Sequence, residues 1–337
     1  MAFRTLRSPV FAAAVLALIF AGAAKAEESV YKKALKSTVW IVVPMGGGKV
    51  GMASGSVVDT SKRLILTNYH VVGDQKECVI FFPTFNKGEL VPEKEKYLAS
   101  LQKGGGLKAT VFATDQHKDL ALVQLAKLPP ATTALKLAAA SPGPGDKVHS
   151  IGSPGVSGAL FNYTDGTVKA VYHKKWLAGR SPNDPNPLQL EAKVIETSSG
   201  INKGDSGGPL MNGNAELVGV TQGALMGGAD TRPISFFIDV SEVKALLKTK
   251  GVTPSVAAST DAEDKTSDKS ATTVSATGPT KEELEKREND AQFKLFLAKE
   301  LDKVGKTDKA IERYKEIVTL YKGTQAADEA KKLLEKK

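Results

Sequence analysis

The strongest chemical signal in the chain is a serine set among glycines, 204-GDSGGPL-210. Gly204, Gly207 and Gly208 let the backbone take positive φ and let a substrate approach closely. Amides near Ser206 can then converge on one point, as an oxyanion hole requires. A serine is a weak nucleophile alone, so it needs a base. The chain has four histidines, His70, His117, His149 and His173. His70 lies in 67-TNYHVV-72, where a strand delivers it to a loop edge ahead of two β-branched core residues. The imidazole in turn needs an acid to orient it. Asp119 opens the apolar run 119-DLALVQL-125. A carboxylate entering a buried strand is costly unless it is hydrogen-bonded, as a histidine partner would allow. Among the rivals, His117 has polar neighbours and reads as a surface loop, His149 as part of a core strand, and His173 as exposed beside Lys174 and Lys175. Asp115 precedes polar residues and is the weaker orienter, and Ser198 and Ser199 lack the glycine setting of Ser206.

The elements that must position these groups read as β. From Val39 to about Val240, short β-branched runs are cut by Gly, Pro, Asn and Asp. The runs are 39–43, 56–58, 64–67, 78–82, 109–114, 120–125, 147–152, 167–172, 190–197, 216–223 and 235–240. That spacing predicts an all-β barrel or sandwich. Cys78 starts one of these strands and reads as an inert core residue. The segment 83–106 is polar and Gly-rich and reads as an inserted loop near the cleft, one that either gates access or, the favoured reading, is a solvated excursion. Short helices are expected over 27–38 and 241–250.

Composition sets the frame. The 337 residues suggest about two domains, or one larger domain with an appendage. With 41% hydrophobic and 25% charged residues, the chain is not collagen, a coiled-coil rod or wholly disordered. Its single cysteine excludes an intrachain disulfide. Arg4 and Arg7, the apolar run 10–24 and Ala24-Lys25-Ala26 read as a secretory signal peptide over 1–26. Its three basic residues, taken from the formal charge of +9, leave +6. No basic stripe interleaves with aromatics, so nucleic acid is not an expected partner. Residues 251–280 are rich in Ser, Thr, Ala and charge without apolar periodicity, which predicts a disordered linker.

Over 281–337 the period becomes helical. Phe293, Phe296, Leu297, Leu301 and Val304 form one stripe. Ala310, Ile311, Tyr314, Ile317, Val318 and Tyr321 form a second, and Ala326, Ala327, Ala330, Leu333 and Leu334 a third. Thr307 and Thr324 are candidate N-caps. Three amphipathic helices are therefore expected.

The three motifs 67-TNYHVV-72, 119-DLALVQL-125 and 204-GDSGGPL-210, in the order His, Asp, Ser, resemble trypsin-like serine proteases of the HtrA/Deg branch. Supporting pieces are 53-ASGSVV-58, 150-SIGSPG-155 and 195-IETSSGINKGDSGGPL-210, so the resemblance covers about 30–247. It implies a mainly β chymotrypsin-like fold of two six-stranded antiparallel barrels, over 27–145 and 146–250. It implies His70 as general base, Asp119 as its orienter, Ser206 as nucleophile and the Gly204 and Ser206 amides as oxyanion hole. It places Gly200, Ile201, Thr221 and Gly223 around the substrate pocket. With no acid at Gly200, small or medium aliphatic residues are the expected preference. Neither cofactor nor metal is called for. Polypeptides are the expected substrates, with export to the periplasm or medium and a possible homo-oligomer.

Departures accompany the resemblance. Asp205 stands where HtrA relatives usually carry Asn, and it is expected either to pair with a Lys or Arg or to lie exposed. The segment 41-IVVPMGGG-48 follows Trp40 rather than Arg or Lys, so no zymogen cleavage is expected there. No PDZ-like strands follow Val240. The tail instead resembles one tetratricopeptide repeat, with Ala298, Ala310 and Tyr314 at packing positions. Besides an active endopeptidase, two readings stay open: a latent protease-fold chaperone or binding module, and a scaffold whose tail docks a partner protein.

Overall fold

The structure is a computed structural model that describes residues 29–45, 50–178, 187–225, 234–254 and 307–336, together with 287–288, 291–292, 294–295, 298–299 and 302. The expected signal peptide, nearly all of the expected linker and all five residues of the first tail stripe lie outside the described residues.

A short helix α1 (Val30–Leu35) leads into β1 (Thr38–Pro44), β2 (Val50–Asp59) and β3 (Leu64–Thr67). The single-turn helix α2 (Tyr69–Val72) precedes β4 (Glu77–Phe81), the hairpin β5 (Thr84–Asn86) and β6 (Glu89–Val91), and helix α3 (Lys94–Gln102). Next come β7 (Leu107–Asp115) and β8 (Leu120–Leu125). The six strands close in the order β1-β2-β3-β8-β7-β4.

A second closed barrel follows, built from β9 (Lys147–Gly152), β10 (Asn162–Ala178), β11 (Leu188–Thr197), β12 (Pro209–Met211), β13 (Leu217–Leu225) and β14 (Ile234–Asp239). Its order is β10-β11-β14-β13-β12-β9, and every pairing in both barrels is antiparallel. Two six-stranded barrels, mainly β, are the architecture expected from sequence.

The apolar runs form strands because both of their faces find a core. In β1, Val39, Ile41 and Val43 join one buried cluster with Val57, Ile65, Cys78, Ile80 and Val123. Trp40 and Val42, on the opposite face, join a second cluster that includes Leu66, Leu122, Tyr97 and Phe161. The alternation is the period of two of a strand, and burial on both sides explains why the run reads as continuously apolar.

Helix α4 (Val240–Thr249) starts at Asp239, whose side chain accepts from the Ser241 amide. It seats Val243, Leu246 and Leu247 on the second barrel's sheet. In the tail, α5 (Thr307–Leu320) and α6 (Gln325–Leu334) pack together, with Ala291, Leu295, Ala298, Ala310, Tyr314, Ile317 and Ala330 in one separate cluster. Thr324 caps α6 by accepting from the Ala327 amide, while Thr307 is already the first residue of α5.

The segment 83–106 is not a solvated excursion. It folds as β5, β6 and α3, and it buries Tyr97, Leu98 and Leu101 on the barrels. These three residues lie at i, i+1 and i+4, the spacing of one helix face, and the burial they gain holds an otherwise polar segment down. His149 also departs from expectation. It lies on β9 but is only half-buried, stacked against the ring of the exposed Tyr163 and hydrogen-bonded to its hydroxyl at 2.7 Å.

Candidate active site

Strand β3 ends at Thr67 and the chain turns at once into α2, which carries His70 out of the first barrel. Strand β8 begins one residue after Asp119. Because β3 and β8 are paired, with Thr67 opposite Ala121, the two motifs emerge side by side. The His70 Nδ1 and Asp119 Oδ2 lie 2.7 Å apart. The other carboxylate oxygen accepts the His70 backbone N–H at 2.8 Å. Asn68 donates from its side-chain amide to the Asp119 carbonyl at 2.9 Å, and Gln222 from β13 reaches Oδ2 at 3.4 Å.

Asp119 is fully buried and holds a left-handed φ of 52°, strained for a residue with a side chain. The strain is tolerated because both carboxylate oxygens and the carbonyl are engaged. The His70 side chain is one-third exposed, at 33%. Burial pulls the imidazole's pKa down, but the charge of Asp119 and its hydrogen bond outweigh it, so the pKa is raised above the ordinary 6.5. With the proton held on Nδ1 and donated in a hydrogen bond to Asp119, Nε2 is left as the acceptor.

The loop 200–208 brings Ser206 to the first barrel. The Ser54 amide of β2 donates to the Ser206 carbonyl at 2.8 Å, and the Ser54 hydroxyl donates to the Gly204 carbonyl at 2.9 Å. The same hydroxyl accepts from the Ser153 amide at 2.9 Å. Gly207, with φ of 81°, presses so close that a Cβ there would lie 2.1 Å from the Thr67 hydroxyl oxygen. Thr67 is three residues from His70, so Ser206 is seated beside the strand that presents the histidine.

The peptide between Lys203 and Gly204 is held by its carbonyl, which accepts from the Gly155 amide at 2.7 Å. In a trans peptide the N–H points opposite to the C=O, so the Gly204 amide faces away from Gly155. Among the described residues, neither the Gly204 nor the Ser206 amide has an acceptor, although Gly204 is buried. Buried N–H groups are nearly always paired, and two left open beside a serine can hold an anionic oxygen.

Asp205 is buried, and no cation among the described residues pairs with it. Its carboxylate accepts from the Asn202 amide at 2.7 Å and fills the space that Gly152 leaves, where a Cβ would lie 2.2 Å from Oδ1. Neither sequence expectation for Asp205 holds. Burial pushes its pKa up to about 6.

Of the pocket residues, Gly200 is exposed, Ile201 and Gly223 are half-buried and Thr221 is buried, with its main chain bonded to Gly207 and Gly208. Gly200 and Gly223 have open space where a Cβ would stand. His117 and His173 are exposed, and Asp115 caps its own turn by accepting from the Lys118 amide. Two contributors had no role assigned from sequence: Ser54, present only as part of a supporting motif, and Gln222, present only within the pocket segment 219–223. Serine and glutamine carry no signal until the fold places them.

Residues 53–220 match the family described as the trypsin-like peptidase domain. Among curated proteins, the chain is 29% identical over 199 residues to the probable periplasmic serine protease do/HhoA-like of Haemophilus influenzae, covering 59% of this chain and 36% of that protein. It is 28% identical over 197 residues to the periplasmic pH-dependent serine endoprotease DegQ of Escherichia coli, covering 58% of this chain and 36% of DegQ. To the periplasmic serine endoprotease DegP of E. coli it is 29% identical over 206 residues, covering 60% and 37%. The aligned region thus spans little more than a third of these relatives' length. Among solved structures, the active form of the Rv3671c protease from M. tuberculosis superposes with a TM-score of 0.51 at 24% identity, covering 76% of this chain and 97% of that one, a likeness of fold. Through residues 53–220, the chain belongs to the trypsin-like peptidase family and is similar to periplasmic serine proteases of the HtrA/DegP type.

Proposed function

We propose that the chain is a serine endopeptidase that cleaves exported or unfolded polypeptides through His70, Asp119 and Ser206. The observation that carries this reading is the buried Asp119 holding His70 Nδ1 at 2.7 Å, next to the strand end against which the Ser206 loop is packed. In the first step, Ser206 Oγ attacks the scissile carbonyl carbon and its proton passes to His70 Nε2. The carbonyl oxygen becomes an anion held by the Gly204 and Ser206 amides. The C–N bond then breaks, and His70 returns the proton to the leaving amine. Water repeats the sequence on the acyl-enzyme: its proton goes to His70, the ester bond breaks, and Ser206 regains the proton. Asp119 stays ionised and stabilises the imidazolium.

Gly200, Ile201, Thr221 and Gly223, the expected pocket residues, carry no charge, which suits a small or medium aliphatic side chain before the scissile bond. Peptide profiling checks this; cleavage mainly after Arg or Lys would overturn it. The periplasmic relatives and the leader-like first 26 residues support export. The tail, with Ala298, Ala310 and Tyr314 buried at repeat-like positions, is proposed as a docking unit for a partner protein. The test of the activity is labelling by a serine-directed phosphonate. The wild type is expected to label and to cleave a peptide, and Ser206→Ala to do neither. A folded wild type that does not label would overturn the reading.

A further inference from the structure

The folded segment 84–102 reaches across to the second barrel at the loop that holds the Lys203–Gly204 peptide. Glu93 and Ala159 form an antiparallel bridge. It is closed by the Lys94 amide donating to the Gly158 carbonyl at 2.9 Å and the Leu160 amide donating to the Pro92 carbonyl at 2.8 Å. The Lys94 ammonium donates to the Gly155 carbonyl at 2.7 Å. Gly155 is therefore fixed on both sides: its carbonyl by Lys94, and its N–H by the Lys203 carbonyl. Tyr97 forms the other anchor. Its ring packs edge-on against Phe81 and Trp40 of the first barrel and, at 5.8 Å between centroids, against Phe161 of the second. Its hydroxyl ties the hairpin, accepting from the Thr84 amide and donating to the Val91 carbonyl, each at 2.9 Å. Phe161 is strained, with φ of 58°. A residue in that region persists when its surroundings over-determine it, and here the Tyr97 ring, the Ser153 hydroxyl and the Tyr31 hydroxyl all hold it.

We propose that the segment 84–102 is a latch that keeps the oxyanion amide of Gly204 in its working orientation, with Lys94 and Tyr97 as positioning residues. The chain of contacts runs from Lys94 through Gly155 and the Lys203 carbonyl to the Gly204 N–H. This rests on the reading above, in which that amide binds the oxyanion. A latch acting on the oxyanion alone affects the transition state and not substrate binding, so its loss lowers kcat and leaves KM in place.

The experiment compares the full chain with Lys94→Met, Lys94→Arg and Tyr97→Phe. Each is measured for kcat and KM on one peptide substrate, for the inhibition constant of a peptide boronic acid, and for thermal unfolding. Lys94→Met is expected to lower kcat about fivefold or more, as befits loss of one partly exposed charged hydrogen bond. It should weaken the boronic acid by the same factor with KM and Tm unchanged, and Lys94→Arg should restore most of both. Tyr97→Phe, which keeps the ring and loses the hydroxyl, is expected to move kcat and boronic acid affinity in the same direction. If both Lys94→Met and Tyr97→Phe stay within about twofold of wild type, or if they raise KM alone, the latch is overturned while the proposed activity stands. A wild type that neither labels with phosphonate nor cleaves peptide overturns both.

Discussion

A general base must be unprotonated to take the Ser206 proton, so the His70 pKa sets where activity begins. Asp119 raises that pKa above 6.5 against the pull of burial. The profile of kcat/KM against pH is therefore expected to rise with a midpoint above 6.5. Asp119→Asn removes both upward influences and the tautomer control. It is expected to cost about 10⁴ in kcat and to move the midpoint down, which a pH–rate series on a chromogenic peptide measures. Asp205 titrates in a different sense. Its carboxyl, at about 6 in the folded chain against 3.8 ordinarily, keeps a proton that the unfolded chain has lost. The resulting stabilisation is whole below 3.8 and disappears as pH rises through about 6. Relative to wild type, Asp205→Asn is expected to gain roughly 2–3 kcal/mol of stability between pH 4 and pH 8, read by urea unfolding at the two pH values. The His and Asp motifs were legible because each combines a polar residue with an apolar run. The surroundings of Asp205 were not, because it is satisfied by a main-chain N–H and a gap at Gly152, neither of which any side chain announces.

Among the elements, the 204–208 turn is tightly confined, with close approaches at Gly204, Gly207 and Gly208. At Gly207 an added methyl meets the Thr67 and Ser54 oxygens at 2.1 and 2.3 Å and also needs a positive φ. Gly207→Ala is expected to destabilise by about 3 kcal/mol or more and to abolish cleavage, checked by thermal unfolding beside the peptide assay. Strands β3, β8 and β9 were read residue for residue, since their β-branched runs are bounded by turn formers. The 3-residue β12 was absorbed into the glycine motif because so short a strand has no period. The β5–β6 hairpin turns on Lys87 and Gly88, both at positive φ, a two-residue turn of the kind favoured between strands. It was missed because each flanking strand has only three residues, too few to show a period. In α3, three apolar positions among lysines and glutamates carried the helical spacing, but they acquire meaning only from the aromatic cluster they join.

At the scale of the molecule, one buried cluster runs from Trp40 and Leu66 through Tyr97 and Phe161 to Ile151 and Ile238, so the barrels share a core. The tail's cluster contains only residues from Ala291 onward. Truncation after Pro254 is therefore expected to leave kcat/KM on a short peptide within about twofold of the full chain, since the tail contributes no residue to the clusters that form the barrel cores. A large loss would mean the tail supports the barrels. The barrels were visible from sequence because their strands repeat a simple pattern; their joint was not, since beside the shared cluster it rests on Ser54, Lys94 and main-chain groups. Cys78 has one more consequence. It is the chain's only cysteine, 2% exposed on β4, with its thiol pushed up to about 12 by burial. A thiol reagent can reach it only when the first barrel opens. The labelling rate of the unaltered protein is thus a clock for that opening, and any substitution that loosens the first barrel can be timed without adding a probe.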